Sequence, residues 1–229
     1  MSVKFDVQSY PLPTKLKADV SAEVIPTAAA ANGRGGRVGG GPTMEIYVVA
    51  KSVSSSPRVN GSTYPVQSLA RNLDWINLIP YDFYGPSWSP SQTNSHAQLF
   101  DPVNHVSGSD GINQWIQEGV PPQKVVFGIP FYGYAWQLNN TNIHGLRTPA
   151  TGKSDAYDDL WMTYAQIRDF IVQHRATAVH DDRIVGDYCY SGRTWISYDD
   201  TQSVRTKVSY IKSRNLLGYY ANDISGMLL

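Results

Sequence analysis

Tyr81 and Asp82 stand side by side where an apolar run, Trp75-Ile76-Asn77-Leu78-Ile79, comes to its end. A phenol and a carboxylate presented where a buried strand emerges form the kind of ionisable pair found at active sites of parallel α/β folds. A competing account is simpler, because turns favour aspartate and many strands end in one. The residues alone leave both open. A second group, Tyr132, Tyr134 and Trp136, follows another apolar run, and Trp88 lies a few residues beyond Tyr81-Asp82. Flat rings of this kind stack on the C–H faces of sugars, and they pack equally well in a core. His174, His180, Asp181, Asp182, Asp187 and Cys189 are close in sequence, but their spacings fit no zinc or calcium template, so solvated loop charges are expected and no metal is. Asp158-Asp159 and Asp199-Asp200 read as turn residues, and Asn60-Gly61-Ser62 and Asn139-Asn140-Thr141 as glycosylation triplets that matter only in a secreted protein.

These residues need elements to hold them. The run that carries Tyr81-Asp82 is short, apolar and stopped by Gly85-Pro86, which predicts a buried strand. Residues 45–50, rich in β-branched and aromatic side chains, predict a strand before it, and residues 66–73 a short helix between the two. A polar loop spans 86–107. Residues 108–119 predict a helix closed by Gly119 and Pro121-Pro122, and 124–130 a further buried strand leading into Phe131, Tyr132, Tyr134 and Trp136. Strand, helix, strand, helix at this spacing argues for βα units and a parallel sheet. The rhythm breaks over about 134–200, where a helix at 164–174 and strand-like pieces near Ala178 and from Tyr188 to Ile196 predict a small α+β insertion. It resumes with a helix at 203–213 and a strand through Tyr219-Tyr220. Residues 1–26 have no clear placement, and the Gly-rich residues 27–43 read as a flexible linker, since no Gly-Lys-Ser/Thr ending makes them a phosphate loop and no cofactor is expected.

The bulk numbers narrow the partners. The chain has 229 residues, enough for one sizeable core. With 19 basic and 19 acidic side chains, it offers no electrostatic case for nucleic acid or an anionic membrane. Fifteen Tyr and six Trp against few charges suit carbohydrate binding and a tightly packed core alike. Cys189 is the one cysteine, so an internal disulfide is excluded. The start lacks an apolar segment of signal-peptide type, and no run approaches membrane-spanning length, so a soluble chain without an export signal is expected.

Several of these stretches together resemble glycoside hydrolase family 18, and within it the plant class V chitinase group. They are Asp74-Trp75-Ile76-Asn77-Leu78, Tyr81-Asp82-Phe83-Tyr84-Gly85-Pro86, the stretch from Phe127 to Trp136, Val179-His180-Asp181-Asp182, Asp187-Tyr188-Cys189-Tyr190 and Trp195-Ile196-Ser197-Tyr198-Asp199. The resemblance runs over about residues 64–221, with the 45–50 strand a plausible addition. It implies an α/β fold, a (β/α)8 barrel with an α+β insertion, of which this chain holds strands five to eight. It also implies substrate-assisted cleavage of chitin, in which a glutamic acid protonates the leaving oxygen and the sugar's own N-acetyl group attacks. Tyr81 and Asp82 match the residues that hold that N-acetyl group, and Tyr132, Tyr134, Trp136 and Trp88 become candidates for stacking on N-acetylglucosamine oligomers.

The chain departs from the family in four places. The D-x-x-D-x-D-x-E motif that ends in the acid is missing from these residues; Asp6, Asp19, Glu23 and Glu45 have neither its spacing nor its strand context. Asn222 stands where the family carries the tryptophan that floors the central sugar site. Ile79-Pro80 replaces a Met-Ala pair, and a proline inside a central strand would remove a ladder donor. Half a barrel leaves two open edges, which invites self-association, poor folding or completion by residues outside this sequence. Three outcomes are therefore expected to compete: a chitin-oligomer binder without hydrolysis, an active chitinase whose first half lies elsewhere, and a non-functional relic. The family implies an extracellular or vacuolar location.

Overall fold

A computed structural model describes residues 23–26, 47–156 and 160–222; the predicted linker at 27–43 and Asp158-Asp159 lie outside them. The chain runs β1 (Glu23–Pro26), β2 (Tyr47–Ser54), the small hairpin β3 (Arg58–Val59) and β4 (Ser62–Thr63), α1 (Val66–Asn72), β5 (Trp75–Ile79), α2 (Gly108–Gln117), β6 (Val125–Pro130) and β7 (Tyr132–Leu138). It continues through β8 (Ala150–Lys153), β9 (Met162–Thr163), α3 (Tyr164–Gln173), β10 (Thr177–Asp181), β11 (Gly186–Ser191), β12 (Thr194–Tyr198), α4 (Thr201–Ser213) and β13 (Gly218–Asn222). Among the described residues, no helix is long and apolar enough to cross a membrane.

The first sheet has the order β1-β2-β5-β6-β13. Its β2-β5, β5-β6 and β6-β13 ladders are parallel, as alternating strands and helices dictate. This is the α/β arrangement expected for consecutive strands of a (β/α)8 barrel. Side chains alternate across it with period two. Val53, Ile76, Leu78, Val125, Phe127 and Ile129 face α1, α2 and α4 and join Leu69, Ile112, Trp115 and Ile211 in one core. The opposite face, with Ile79, leads into a second cluster around Tyr81, Tyr132, Tyr134, Trp136 and Trp195.

Two expectations change. Of the two open edges, the one on β2 is taken, because Glu23–Pro26, left unplaced above, pairs antiparallel along it. Pro80 does not interrupt a ladder: β5 ends at Ile79, and its pairing to β6 stops at Leu78 opposite Phe127. Proline here closes the strand and turns the chain towards Tyr81.

The second sheet has six strands in the antiparallel order β10-β11-β12-β7-β8, with β9 also on β7. It spans Tyr132–Tyr198. α3 starts in a capping box between Thr163 and Gln166, which explains its sharp onset. The polar stretch at 86–107 forms no regular element, yet Thr93, Ser95, His96, Ala97, Gln98 and Leu99 are all buried. A buried loop must have its backbone groups bonded. Here Thr93 N donates to Thr148 O, Leu99 N to Ile184 O, and Phe83 N to His96 O.

Lys207 of α4 anchors the same loop. It is 1% exposed, and its Nζ donates to both carboxylate oxygens of Asp199 and to Ala97 O. A buried ammonium is tolerated because every donor has an acceptor. Lys207→Met leaves Asp199 buried and uncompensated, with an expected loss of about 3–5 kcal/mol in denaturant unfolding; a loss below about 1 kcal/mol would show that the pair does not hold the loop to α4.

Candidate functional site

Tyr81 and Asp82 emerge from the end of β5 into the space between the two sheets. Gly128, on the neighbouring β6, makes room for Tyr81 and for Tyr220 of β13. A Cβ there would lie 2.7 Å from both the Tyr220 and the Tyr81 rings. The two hydroxyls meet 3.2 Å apart, and Tyr220 Oη donates to Leu78 O, so the Tyr81 ring is located from β13 as well as β5. Asn222 lies beside the Tyr81 hydroxyl, at the position where the family's tryptophan was expected. Burial pushes the Tyr81 phenol far above its ordinary range and Tyr220 up to about 12, so both are neutral hydrogen-bonding groups at physiological pH.

Asp82 has φ 60°, a left-handed conformation that aspartate enters at some cost and keeps only where its surroundings fix it. They do so here. Tyr132 Oη donates to Asp82 Oδ1 at 2.7 Å and Tyr134 Oη to the same oxygen at 3.0 Å. His96 Nδ1 lies 3.8 Å from that oxygen. Burial alone would raise the carboxyl, but His96, Tyr132 and Tyr134 outweigh it and hold Asp82 below the usual carboxylate range. All three contacts converge on Oδ1, and among the described residues none is made to Oδ2.

The aromatic group divides. Tyr132 and Tyr134 are buried, meet edge to face, and spend their hydroxyls on Asp82, so they support the carboxylate and offer no flat face to a sugar. Trp136 is fully buried, donates from its indole to Ser89 O and packs edge-on against Trp195. The three rings expected as stacking candidates are thus found buried, Tyr132 and Tyr134 on Asp82 and Trp136 in the core. Trp88 is 43% exposed and sits edge-on against Tyr134. Its ring lies so close over Gly85 that a Cβ there would be 2.3 Å away. Trp161, which the sequence reading missed, is 39% exposed and leans on Tyr132 from β7. Two exposed indoles thus flank the Asp82 cluster. His96 was missed as well: a lone histidine in a Ser/Asn-rich loop carries no signal until the loop is known to be buried.

The His/Asp group of the second sheet resolves into local pairs. His180 Nδ1 is 2.7 Å from Asp187 and its Nε2 3.2 Å from Asp182, while Arg183 holds Asp181. Of these, His180 and Asp187 line an open polar cleft of about 540 Å³ between β10, β11 and the start of α4, which Asp200 and Arg205 also line. Cys189 is buried, and burial pushes its thiol up to about 12.

The match of residues 30–226 to the family model described as glycosyl hydrolases family 18 covers both the site and the second sheet. A class V chitinase from Arabidopsis thaliana is 48% identical over 186 residues, which are 79% of this chain and 48% of that protein. A solved class V chitinase from Nicotiana tobaccum, in complex with NAG4, superposes with a TM-score of 0.77 at 70% identity, over 79% of this chain and 53% of that one. A chitinase-like agglutinin from Robinia pseudoacacia superposes with a TM-score of 0.70 at 37% identity, over 79% and 52% of the two chains. The chain spans about half the length of the relatives it matches.

The lowered Asp82 carboxyl fixes the sign of a pH effect. A group whose folded pKa lies below its unfolded value of about 3.9 stabilises the fold fully above that value, and the contribution is lost as pH falls through the folded value. Asp82→Asn is therefore expected to cost about 1–2 kcal/mol at pH 7 and progressively less towards pH 2. Denaturant unfolding of both proteins across that range checks it, and a gap independent of pH would contradict the assignment.

Proposed function

The chain belongs to glycosyl hydrolases family 18, and from that premise we propose that it binds N-acetylglucosamine oligomers at Tyr81-Asp82 without hydrolysing them by itself. The observation that carries this reading is the constellation on Asp82: two tyrosine hydroxyls fix Oδ1, and Oδ2 is left to accept the N–H of an N-acetyl group. Tyr81 closes the other side of that group. Trp88 and Trp161, exposed and packed against Tyr134 and Tyr132, support the reading as rings that would stack on neighbouring sugars. Stacking selects a chain of sugars, and the amide contact selects N-acetylated ones.

The chemistry stops at binding because no residue has the role of the acid. Substrate-assisted hydrolysis needs a carboxylic acid within hydrogen-bond reach of the leaving oxygen, and general acid catalysis contributes about 10²–10⁴-fold. Asp82 cannot fill that role. Its carboxyl is held below the ordinary range and so remains ionised, an acceptor rather than a proton donor. The D-x-x-D-x-D-x-E motif does not occur in the 229 residues. Asn222 in place of the family's tryptophan also removes the flat floor under the central sugar, which favours weaker binding.

One observation favours a second reading, in which the same residues serve an active chitinase: the chain spans about half the length of its relatives, whose remaining length is where an acid would come from. Sequencing the transcript for upstream carboxylates separates the two, since a message that begins at Met1 leaves no source for the acid.

Calorimetry with chitin tetramer and hexamer, followed by product analysis on the same folded sample, tests the main reading. The expected result is heat of binding with no shortened oligomers. Trp88→Ala and Trp161→Ala should each weaken binding about 5- to 30-fold, or about 1–2 kcal/mol, as expected where a partly exposed indole loses its stack on one sugar ring. No heat from a cooperatively folding sample would sink the proposal, and release of shorter oligomers would overturn its second half.

A further inference from the structure

His96 is the one feature of this site that binding and packing do not explain. It is 0% exposed, and among the described residues Nδ1 and Nε2 of its ring are the buried side-chain polar atoms left without a hydrogen-bond partner. Such a group costs about 1–3 kcal/mol, so a histidine kept here calls for a compensating interaction. A residue that merely filled space would be apolar. The backbone around it is tightly placed: His96 N donates to Ser197 Oγ on β12, and His96 O accepts from the N–H of Phe83, the residue after Asp82. The ring is wedged between Tyr134, edge-on at 5.2 Å, and Tyr132, tilted at 5.5 Å. Those are the two side chains that donate to Asp82.

We propose that His96 is a positioning residue for Asp82: protonated on Nδ1, it points that proton at Asp82 Oδ1 and keeps the carboxylate turned so that Oδ2 faces the ligand. At 3.8 Å the contact is electrostatic, and a small rotation of Asp82 brings it to hydrogen-bond length. The titratable groups that face the ring are Asp82 from the turn after β5 and Tyr132 and Tyr134 from β7. The nearest charged pair along the chain, Lys207 with Asp199, is neutralised within itself at Ala97. An Nδ1–H donor adds a third hydrogen bond to the same oxygen, which accounts for the left-handed backbone being held at Asp82. The inference deepens the sugar-binding reading, and only its last test rests on it.

The test begins on the unmodified full chain. Long-range ¹⁵N NMR of His96 at neutral pH should show a protonated Nδ1, and a bare Nδ1 would overturn the proposal. Carboxyl ¹³C titration of Asp82 follows in His96→Asn, whose amide N–H can stand where Nδ1–H does, and in His96→Phe, which fills the space without a donor. His96→Asn should titrate close to the wild type and His96→Phe at higher pH; identical titrations in all three would also overturn it. Where His96→Phe fails to fold, the wild-type spectrum and the His96→Asn titration decide. A merely structural role would leave the tautomer and the titration unmoved. Affinity for the N-acetylglucosamine tetramer should fall about tenfold to a hundredfold in His96→Phe and recover in His96→Asn. If the titrations behave as stated while no protein, wild type included, binds the tetramer, the positioning role stands and the sugar reading fails.

Discussion

The 2.7 Å bond from Tyr132 Oη to Asp82 Oδ1 ties the start of the second sheet to the end of β5. With the parallel bond from Tyr134, it lets an ionised carboxylate occupy a partly buried, left-handed position beside the aromatic cluster of Tyr81, Tyr132 and Tyr134. Removing a charge from water is costly, and only charge-assisted hydrogen bonds of this kind offset it. Much of the surrounding structure follows from that requirement. β7 must leave β6 almost at once, after Phe131 alone, so that its first residues reach back to Asp82. Gly128 must lack a side chain so that Tyr81 and Tyr220 can pass on the other side.

The buried loop between β5 and α2 meets the same requirement from below. Its backbone is bonded to β12, to the turn before β11 and to α4, and the Lys207–Asp199 pair fixes it where it carries His96. A loop on the surface would leave the Asp82 cluster open to water, which would weaken each of its interactions. The two sheets, the loop and α4 thus form one support for a single carboxylate. Placement in this way, with Oδ1 committed, keeps the carboxylate ionised and makes it an acceptor, which is what the proposed contact to an N-acetyl group requires.

The parallel sheet was legible because its strands are short apolar runs separated by helical periods and stopped by Gly and Pro. The α1, β5, α2 and β6 spans in the structure lie within a residue or two of the sequence expectation. Tyr81-Asp82 was legible by position, at the end of such a run, and the role proposed for it rests on resemblance. The roles of Tyr132, Tyr134 and Trp136 were not, because composition distinguishes an aromatic ring from other side chains but not a ring that offers its face from one that donates its hydroxyl or lies in the core. Period-two alternation on β7 puts Tyr132, Tyr134 and Trp136 on one face, and only the location of Asp82 decides what that face does. His96 and Trp161 lie in stretches of loop character, where position depends on contacts with residues about a hundred and about thirty positions away. No local pattern encodes such contacts. The strand Glu23–Pro26 escaped for a similar reason, since four extended residues become a strand only when an edge is there to pair with.

A structure of the chain with N-acetylglucosamine tetramer bound tests the account most directly. It should place one N-acetyl group between Tyr81 and Asp82, its N–H within hydrogen-bond distance of Asp82 Oδ2, with Tyr132 and Tyr134 still on Oδ1 and no carboxyl group within reach of a glycosidic oxygen. A tetramer seated elsewhere, such as in the cleft beside His180 and Asp187, or a carboxyl from this chain poised on the glycosidic oxygen, would contradict it.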